Sequence, residues 1–143
     1  MINTDINPMI GEIYLMRFSG TNHEQAGWRP GLVFQNNVGN AHSPNIIAVP
    51  LTTALKKQRM PTHVVLSAVE TGLIKDSMVL CEGPERMSKE HVGTYITTLG
   101  KEDMAKVARA YLLATSVITF LGLEEITAIW YDAIKLNNAQ IIV

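Results

Sequence analysis

Between Gly11 and Leu99 the apolar residues come in runs of strand length, separated by clusters of Gly, Pro, Asn and Ser; from Met104 onward they recur every three or four residues. This change of period constrains the fold most, because it reads as a β-rich front followed by a helical back. The strand candidates are Gly11–Phe18, Gly31–Gln35, Ile46–Thr52, His63–Leu66, Ser77–Glu82 and, more weakly patterned, Thr94–Leu99. Pro50, inside the third run, favours an edge or a bulge because proline has no N–H for a ladder. The polar stretch Ser19–Trp28, the turn-rich Asn36–Asn45 and the basic Ala54–Pro61 read as loops, and Ser88 is placed to cap one helical turn.

In the back half, Met104, Val107, Ala108, Tyr111, Leu112, Thr115 and Ile118 form the stripe of a helix packed on a sheet. Gly100 precedes it, Glu102 and Asp103 suit its first turn, and Gly122 suits its end. A second helical pattern, Leu123, Ile126, Ile129, Trp130, Ala133 and Ile134, suits packing, or, if exposed, a partner. The expected class is α+β, mainly β, with a long C-terminal helix and an added helical extension.

At 143 residues, 47% hydrophobic and 17% charged, the chain fits one folded domain rather than a disordered one. Cys81 is the single cysteine, which excludes an internal disulfide and a cysteine metal cluster. The start, MINTDINPM, has no basic region followed by an apolar run, and no apolar stretch has the length of a membrane span. The expectation is a soluble, cytoplasmic protein with no cofactor. The formal net charge is -1, but the charge is unevenly spread. Residues 17–59 hold five basic side chains (Arg17, Arg29, Lys56, Lys57, Arg59) and one acid, Glu24, a local net of +4. The rest carries 7 basic and 12 acidic groups, a net of -5. Such polarity presents one positive face to an anion, or simply solvates a loop.

Within that positive region, EQAGWRPGLVFQN (Glu24–Asn36) is answered by PLTT (Pro50–Thr53). Two neighbouring strands ending this way bring Arg29 and Thr52 to one sheet rim. A guanidinium fork and a hydroxyl suit the oxygens of a phosphodiester; an Arg-Pro strand entry and a strand-end Thr are also ordinary β chemistry. Trp28 and Tyr14 are candidates to stack on a base, Trp28 equally to cover the rim or enter a dimer contact. No metal-ligand spacing links His23, His42, His63 and His91, and Cys81 reads as a small buried hydrophobe.

The ordered set EQAGWRPGLVFQNNVGN, SPNIIAVPLTTAL, PTHVVL and SMVLCE resembles the MazF/PemK family of toxins from type II toxin–antitoxin systems, over about Gly11–Phe120. The resemblance implies a small curved sheet or partly open, SH3-like barrel of the CcdB/MazF kind, a homodimer, and a metal-independent endoribonuclease blocked by a cognate MazE-like antitoxin. It assigns residues 1–122 to the toxin domain and 123–143 to a helical extension packed on it. By position, Arg29 and Thr52 correspond to the family's catalytic pair. Glu24 and Gln25 match the loop that closes over the site, and Pro61, Thr62 and His63 a PTHV-type segment. Trp28, Thr53, Lys56, Lys57, Arg59 and Arg86 complete the expected contacts to single-stranded RNA. Many relatives carry a glutamine and then an arginine after the SMVLCE-type strand. Here EGPERM puts Gly83 and Glu85 in those places and displaces Arg86 by one, which bears on RNA sequence preference.

The implied reaction is attack of a ribose 2′-OH on the adjacent phosphorus, giving 2′,3′-cyclic phosphate and 5′-OH ends. Arg29 would stabilise the phosphoryl charge and Thr52 would donate to the same oxygens. A base and an acid are also needed; the family assigns proton transfer to the arginine, which is a poor base in water, while His23 reads first as a solvated loop histidine and only second as a local supplement. Two other readings stand beside this one. The EGPERM departure and the tail suit an inactive binding module, and the fold also occurs in CcdB-type gyrase poisons, which lack the RP…T pair in this form. In the toxin reading residues 123–143 could lie in the positive groove in cis, as an autoinhibitory segment.

Overall fold

The computed structural model describes residues 7–19, 26–55 and 60–138. Strand β1 (Glu12–Ser19) pairs antiparallel with β2 (Ala26–Val33), and β2 with β3 (Asn45–Thr52). The far edge of β3 is shared: Asn45–Ala48 pair with β4 (Glu85–Ser88), and Leu51 and Thr52 with β5 (Ser77–Leu80). Strand β6 (His63–Leu66) flanks β5, and β7 (Val92–Thr98) flanks β1. The result is an open, seven-stranded, mainly antiparallel sheet.

Strong curvature follows from one contact. In the sheet β4 is separated from β1 by β3 and β2, yet Glu85 Oε1 accepts the N–H and the hydroxyl of Ser19, each at 3.4 Å. The twist that β-branched and aromatic strands impose therefore rolls β4 over the end of β1. Inside the roll lie Tyr14, Met16, Phe18, Val33, Ile46, Ala48, Met87 and Val92. The opposite face buries Ile13, Leu32, Val49, Leu51, Val64, Leu66 and Val79 against helix α3 (Lys101–Thr115), which contributes Val107 and Ala110.

Several elements depart from their expected bounds for local reasons. Strand β2 begins at Ala26, because Phe18 and Ser19 extend the ladder to Gly27 and Ala26, and Gly27 takes a positive φ of 93°. Phe34 and Gln35 leave it to feed helix α1 (Asn37–His42), inside what the turn residues suggested was a loop. Asn36 starts that helix, its side-chain oxygen accepting the Gly39 N–H at 2.9 Å. Strand β3 is not an edge. Pro50 pairs with Gly31 on one side, and on the other it falls between the β4 and β5 ladders, where pairing is already interrupted. Ser88 does cap a turn, the 3-10 segment Lys89–His91, through the Glu90 N–H. Strand β4 and the single turn α2 (Ala68–Thr71) lacked any periodic signal.

Helix α3 ends at Thr115, not near Gly122: Ser116 adopts a left-handed φ of 55° and its N–H closes on the Leu112 carbonyl. Ile118 thus belongs to a following 3-10 turn. Helix α4 (Leu123–Asn138) follows, and no residue of it is buried. Its apolar arc is only half covered at Ile126 and Ile134, and Leu123 stays 79% exposed. Its main packing is on α1, where Asn137 Oδ1 accepts the Asn37 N–H at 3.2 Å. Asn37, in turn, accepts the Ile10 N–H at 2.8 Å and a bond from the fully buried Asn40 at 3.2 Å. Among the described residues no helix is long and apolar enough to cross a membrane.

Two predictions follow from this core. A Cβ built on Gly31 would lie 2.6 Å from Met16 Sδ and 2.7 Å from Phe18 Cζ, both side chains being buried. Gly31→Ala should cost about 1–3 kcal/mol in denaturant unfolding, whereas Gly83→Ala, whose nearest contact is an ordinary 3.5 Å, should stay within about 0.5 kcal/mol. Burial, and then the charge of Glu82, push the Cys81 thiol from 9.0 up to about 12. The fold keeps this proton where the unfolded chain has lost it. Its contribution to stability is complete below about pH 9 and is lost as the pH rises through about 12. Unfolding free energy should therefore fall over that window, with a shallower slope in Cys81→Ala.

Candidate functional site

Arg29 sits in β2 opposite Met16 of β1. Residues facing each other across an antiparallel pair share a sheet face, so Arg29 belongs to the inner face with Met16, Phe18 and Gly31. The β2–β3 register runs Val33 with Ala48, Leu32 with Val49 and Gly31 with Pro50. Continued two residues further, it sets Arg29 opposite Thr52, the last residue of β3. The absent side chain of Gly31 lets Met16 and Phe18 close the space behind the arginine.

Two atoms define the chemistry. Arg29 Nη1 is shielded from solvent and has no hydrogen-bond partner among the described residues. A buried donor left unpaired costs about 1–3 kcal/mol, more when charged, so this nitrogen is set to receive an acceptor from outside the described fold. Thr52 Oγ1 accepts the Ala54 N–H at 3.1 Å, the short turn a strand-end Thr makes with the residue two further on. With that acceptor role filled, its hydroxyl proton is left to donate. A guanidinium and a hydroxyl donor in register at one rim match an oxyanion with at least two oxygens.

The other expected residues separate into groups. Glu24, Gln25, His23, Lys56, Lys57 and Arg59 lie outside the described residues. Thr53 is exposed beside Thr52. Trp28 is 54% exposed and, alternating with Arg29, lies on the outer face, opposite Arg17; its ring covers Gly93 of β7 at 3.2 Å from where a Cβ would stand. Tyr14 is not free to stack. It is buried in the inner core, packs edge-on to Tyr95 at 5.6 Å, and donates its hydroxyl to Glu12 at 3.1 Å. Burial, and then the Glu12 carboxylate, hold its phenol well above the usual range.

Arg86 is not brought to the pair either. It faces Ile47 and points away from the inner face, whereas its neighbour Glu85 faces Ala48 and points toward it. The side chain of His63 is only 2% exposed, with Nδ1 accepting the Met60 N–H and Nε2 on Glu82 at 2.9 Å, so its role is to tie β6 to the turn after β5. Thr62 Oγ1, buried, has no partner among the described residues. No cluster of three His, Cys, Asp or Glu side chains able to hold a metal forms among them. The sequence reading overlooked Gly31 and the Ala54 N–H. A Thr-Thr-Ala after a strand was the available signal for the second; nothing local signals the first, whose close neighbours come from another strand.

Helix α4 docks on α1, which joins β2 to β3 at the end away from Arg29 and Thr52. The described part of the extension therefore has its main contact away from the rim that an autoinhibitory position would require.

Residues 10–114 match the family model described as a PemK-like, MazF-like toxin of type II toxin–antitoxin systems. The chain is similar to endoribonuclease EndoA of Bacillus subtilis, with 34% identity over 116 residues, 81% of this chain and 90% of that protein. Among solved structures it resembles MazF from Deinococcus radiodurans, with a TM-score of 0.67, 22% identity, and coverage of 79% of this chain and 100% of that one. It also resembles a mycobacterial endoribonuclease in complex with its cognate antitoxin, with a TM-score of 0.64, 24% identity, and coverage of 77% and 96%. At these identities the two structures speak for the fold alone.

Proposed function

The chain belongs to the PemK-like, MazF-like toxin family of type II toxin–antitoxin systems, and from that membership we propose that it is a cytoplasmic endoribonuclease cutting single-stranded RNA at Arg29 and Thr52. The observation that carries this reading is the buried Arg29 Nη1, unpaired among the described residues, on the same face as a threonine whose hydroxyl donates to none of them.

The scissile phosphate sits between the two side chains. As the 2′-OH attacks phosphorus, negative charge gathers on the non-bridging oxygens. Arg29 meets it with a donor already desolvated and held in place, the condition under which electrostatic stabilisation is strongest. Thr52 donates a second bond to the same oxygens. The 5′ oxygen of the next nucleotide leaves, giving a 2′,3′-cyclic phosphate and a 5′-OH. The 2′-OH loses a proton and the departing 5′ oxygen gains one, and the family scheme routes this transfer through Arg29.

Residues 1–122 form the toxin domain in this reading, and 123–143 an extension beyond the matched family region. The protein acts as a homodimer, and a MazE-like antitoxin covers the positive groove with an acidic, apolar segment. The local net charge of +4 over residues 17–59 supports that choice of partner, as does the mycobacterial neighbour, which is an endoribonuclease bound to its cognate antitoxin.

A long unstructured RNA incubated in EDTA tests the activity. Wild type should cut at a short recurring sequence and leave cyclic phosphate ends, while Arg29→Ala and Thr52→Ala each lose about 100-fold or more in rate. Intact RNA with wild type, or variants that cut equally well, would refute the reading. Because α4 docks away from the pair, deleting residues 123–143 should leave the initial cleavage rate unchanged; a large gain would instead point to an autoinhibitory tail.

A further inference from the structure

We propose that Glu85 determines sequence specificity by reading the Watson–Crick edge of a guanine close to the cleaved bond. The inference rests on the ribonuclease reading above. Facing Ala48 across the β3–β4 ladder, Glu85 shares the inner face of Arg29 and Thr52. The residue is half-buried and its carboxylate reaches the end of β1, where Oε1 accepts from the Ser19 N–H and hydroxyl at the exposed rim, both at the long distance of 3.4 Å. Among the described residues Oε2 has no hydrogen bond and no basic side chain pairs with the group. Ser19 faces Ala26, three residues before Arg29, or about 10 Å along β2 at 3.3 Å per residue. That separation suits a nucleotide neighbouring the scissile phosphate rather than the phosphate itself.

A carboxylate on a surface that meets a polyanion is a poor phosphate contact, because like charges repel. What it can take from RNA is a donor on a base edge. Guanine alone offers two adjacent donors on its Watson–Crick edge, N1–H and the N2 amino group. Cytosine and adenine offer one amino group beside an acceptor, and uracil one imide N–H between carbonyls. Two carboxylate oxygens match two parallel donors as they match a guanidinium fork. The weak hold of Ser19 keeps the side chain aimed without saturating it. Arg86, on the other face of the same strand, cannot substitute.

The test uses the full-length protein and defined oligoribonucleotides. Cleavage sites of wild type are first mapped, and guanine at the preferred position is then replaced by inosine, which lacks only the N2 amino group. Wild type should show guanine at one fixed position near the cut and lose roughly tenfold in kcat/KM on the inosine substrate. Glu85→Gln, close to isosteric, should cut the guanine substrate more slowly and discriminate little between guanine and inosine. Wild-type cleavage without a fixed guanine, without an inosine penalty, or with an equal penalty in E85Q overturns the role of Glu85 alone. No cleavage by wild type overturns the ribonuclease reading and this inference with it. The inosine penalty in wild type needs no variant, so a folding defect in E85Q leaves the proposal open to refutation.

Discussion

The register between β2 and β3 is the constraint on which the rest depends. The ladder ends where Gly31 faces Pro50, and the same register continued two residues further sets Arg29 opposite Thr52. A slip of one residue would send every side chain of one strand to the other face and part the guanidinium from the hydroxyl. The register is held from both ends. At the rim, Gly31 leaves room for Met16 and Phe18, so their burial is tied to this alignment. At the turn, Asn40 donates to the Gln35 carbonyl at 2.8 Å and accepts from the Gln35 side chain at 3.3 Å, while that side chain also donates to the Asn45 carbonyl at 3.2 Å. A buried polar network satisfied in this way specifies one geometry.

The two ends of this strand pair are therefore physically different. The α1 end has its buried asparagines paired with each other, with the backbone and with Asn137 of α4. The rim end leaves a shielded arginine nitrogen without a partner among the described residues and spends its backbone N–H at Ala54 on orienting Thr52. Rigidity is concentrated at one end, and unfilled hydrogen-bonding capacity, which costs stability, at the other.

The β4 strand gives the EGPERM segment a structural meaning. Gly83 closes the turn after β5, its N–H on the Leu80 carbonyl at 2.9 Å, and a Cβ added there would meet Pro50 at ordinary contact distance. Glu85 and Arg86 then point to opposite faces because strand side chains alternate. The one-residue displacement of the arginine is thus a change of face and not a small shift along a groove. Helix α4, outside the family match, is half of a buried element: its arc from Leu136 through Ile126 to Ile134 has helical spacing, yet none of it is fully covered.

Much of this was legible in the amino-acid order. Short apolar runs against a three-to-four repeat determined the β front and helical back, and the EQAGWRPG and PLTT segments singled out Arg29 and Thr52, because these are signals that a chain carries within a few neighbouring residues. What only the tertiary structure decided depends on residues distant in sequence. Pro50 reads as an edge residue until two different strands are seen to share the far side of β3. The turn-rich Asn36–Asn45 becomes a helix once Asn40 has a core to be buried in. Strand β4, too short for a period, is defined by its pairing to β3, and that pairing separates Glu85 from Arg86. The stripe from Met104 predicts a helix, but Ser116, with its left-handed backbone, ends it before Gly122. The long apolar tail promises a core contact that the fold does not supply. Local pattern selects the elements; register, curvature and the absence of a single Cβ at Gly31 decide which side chains meet.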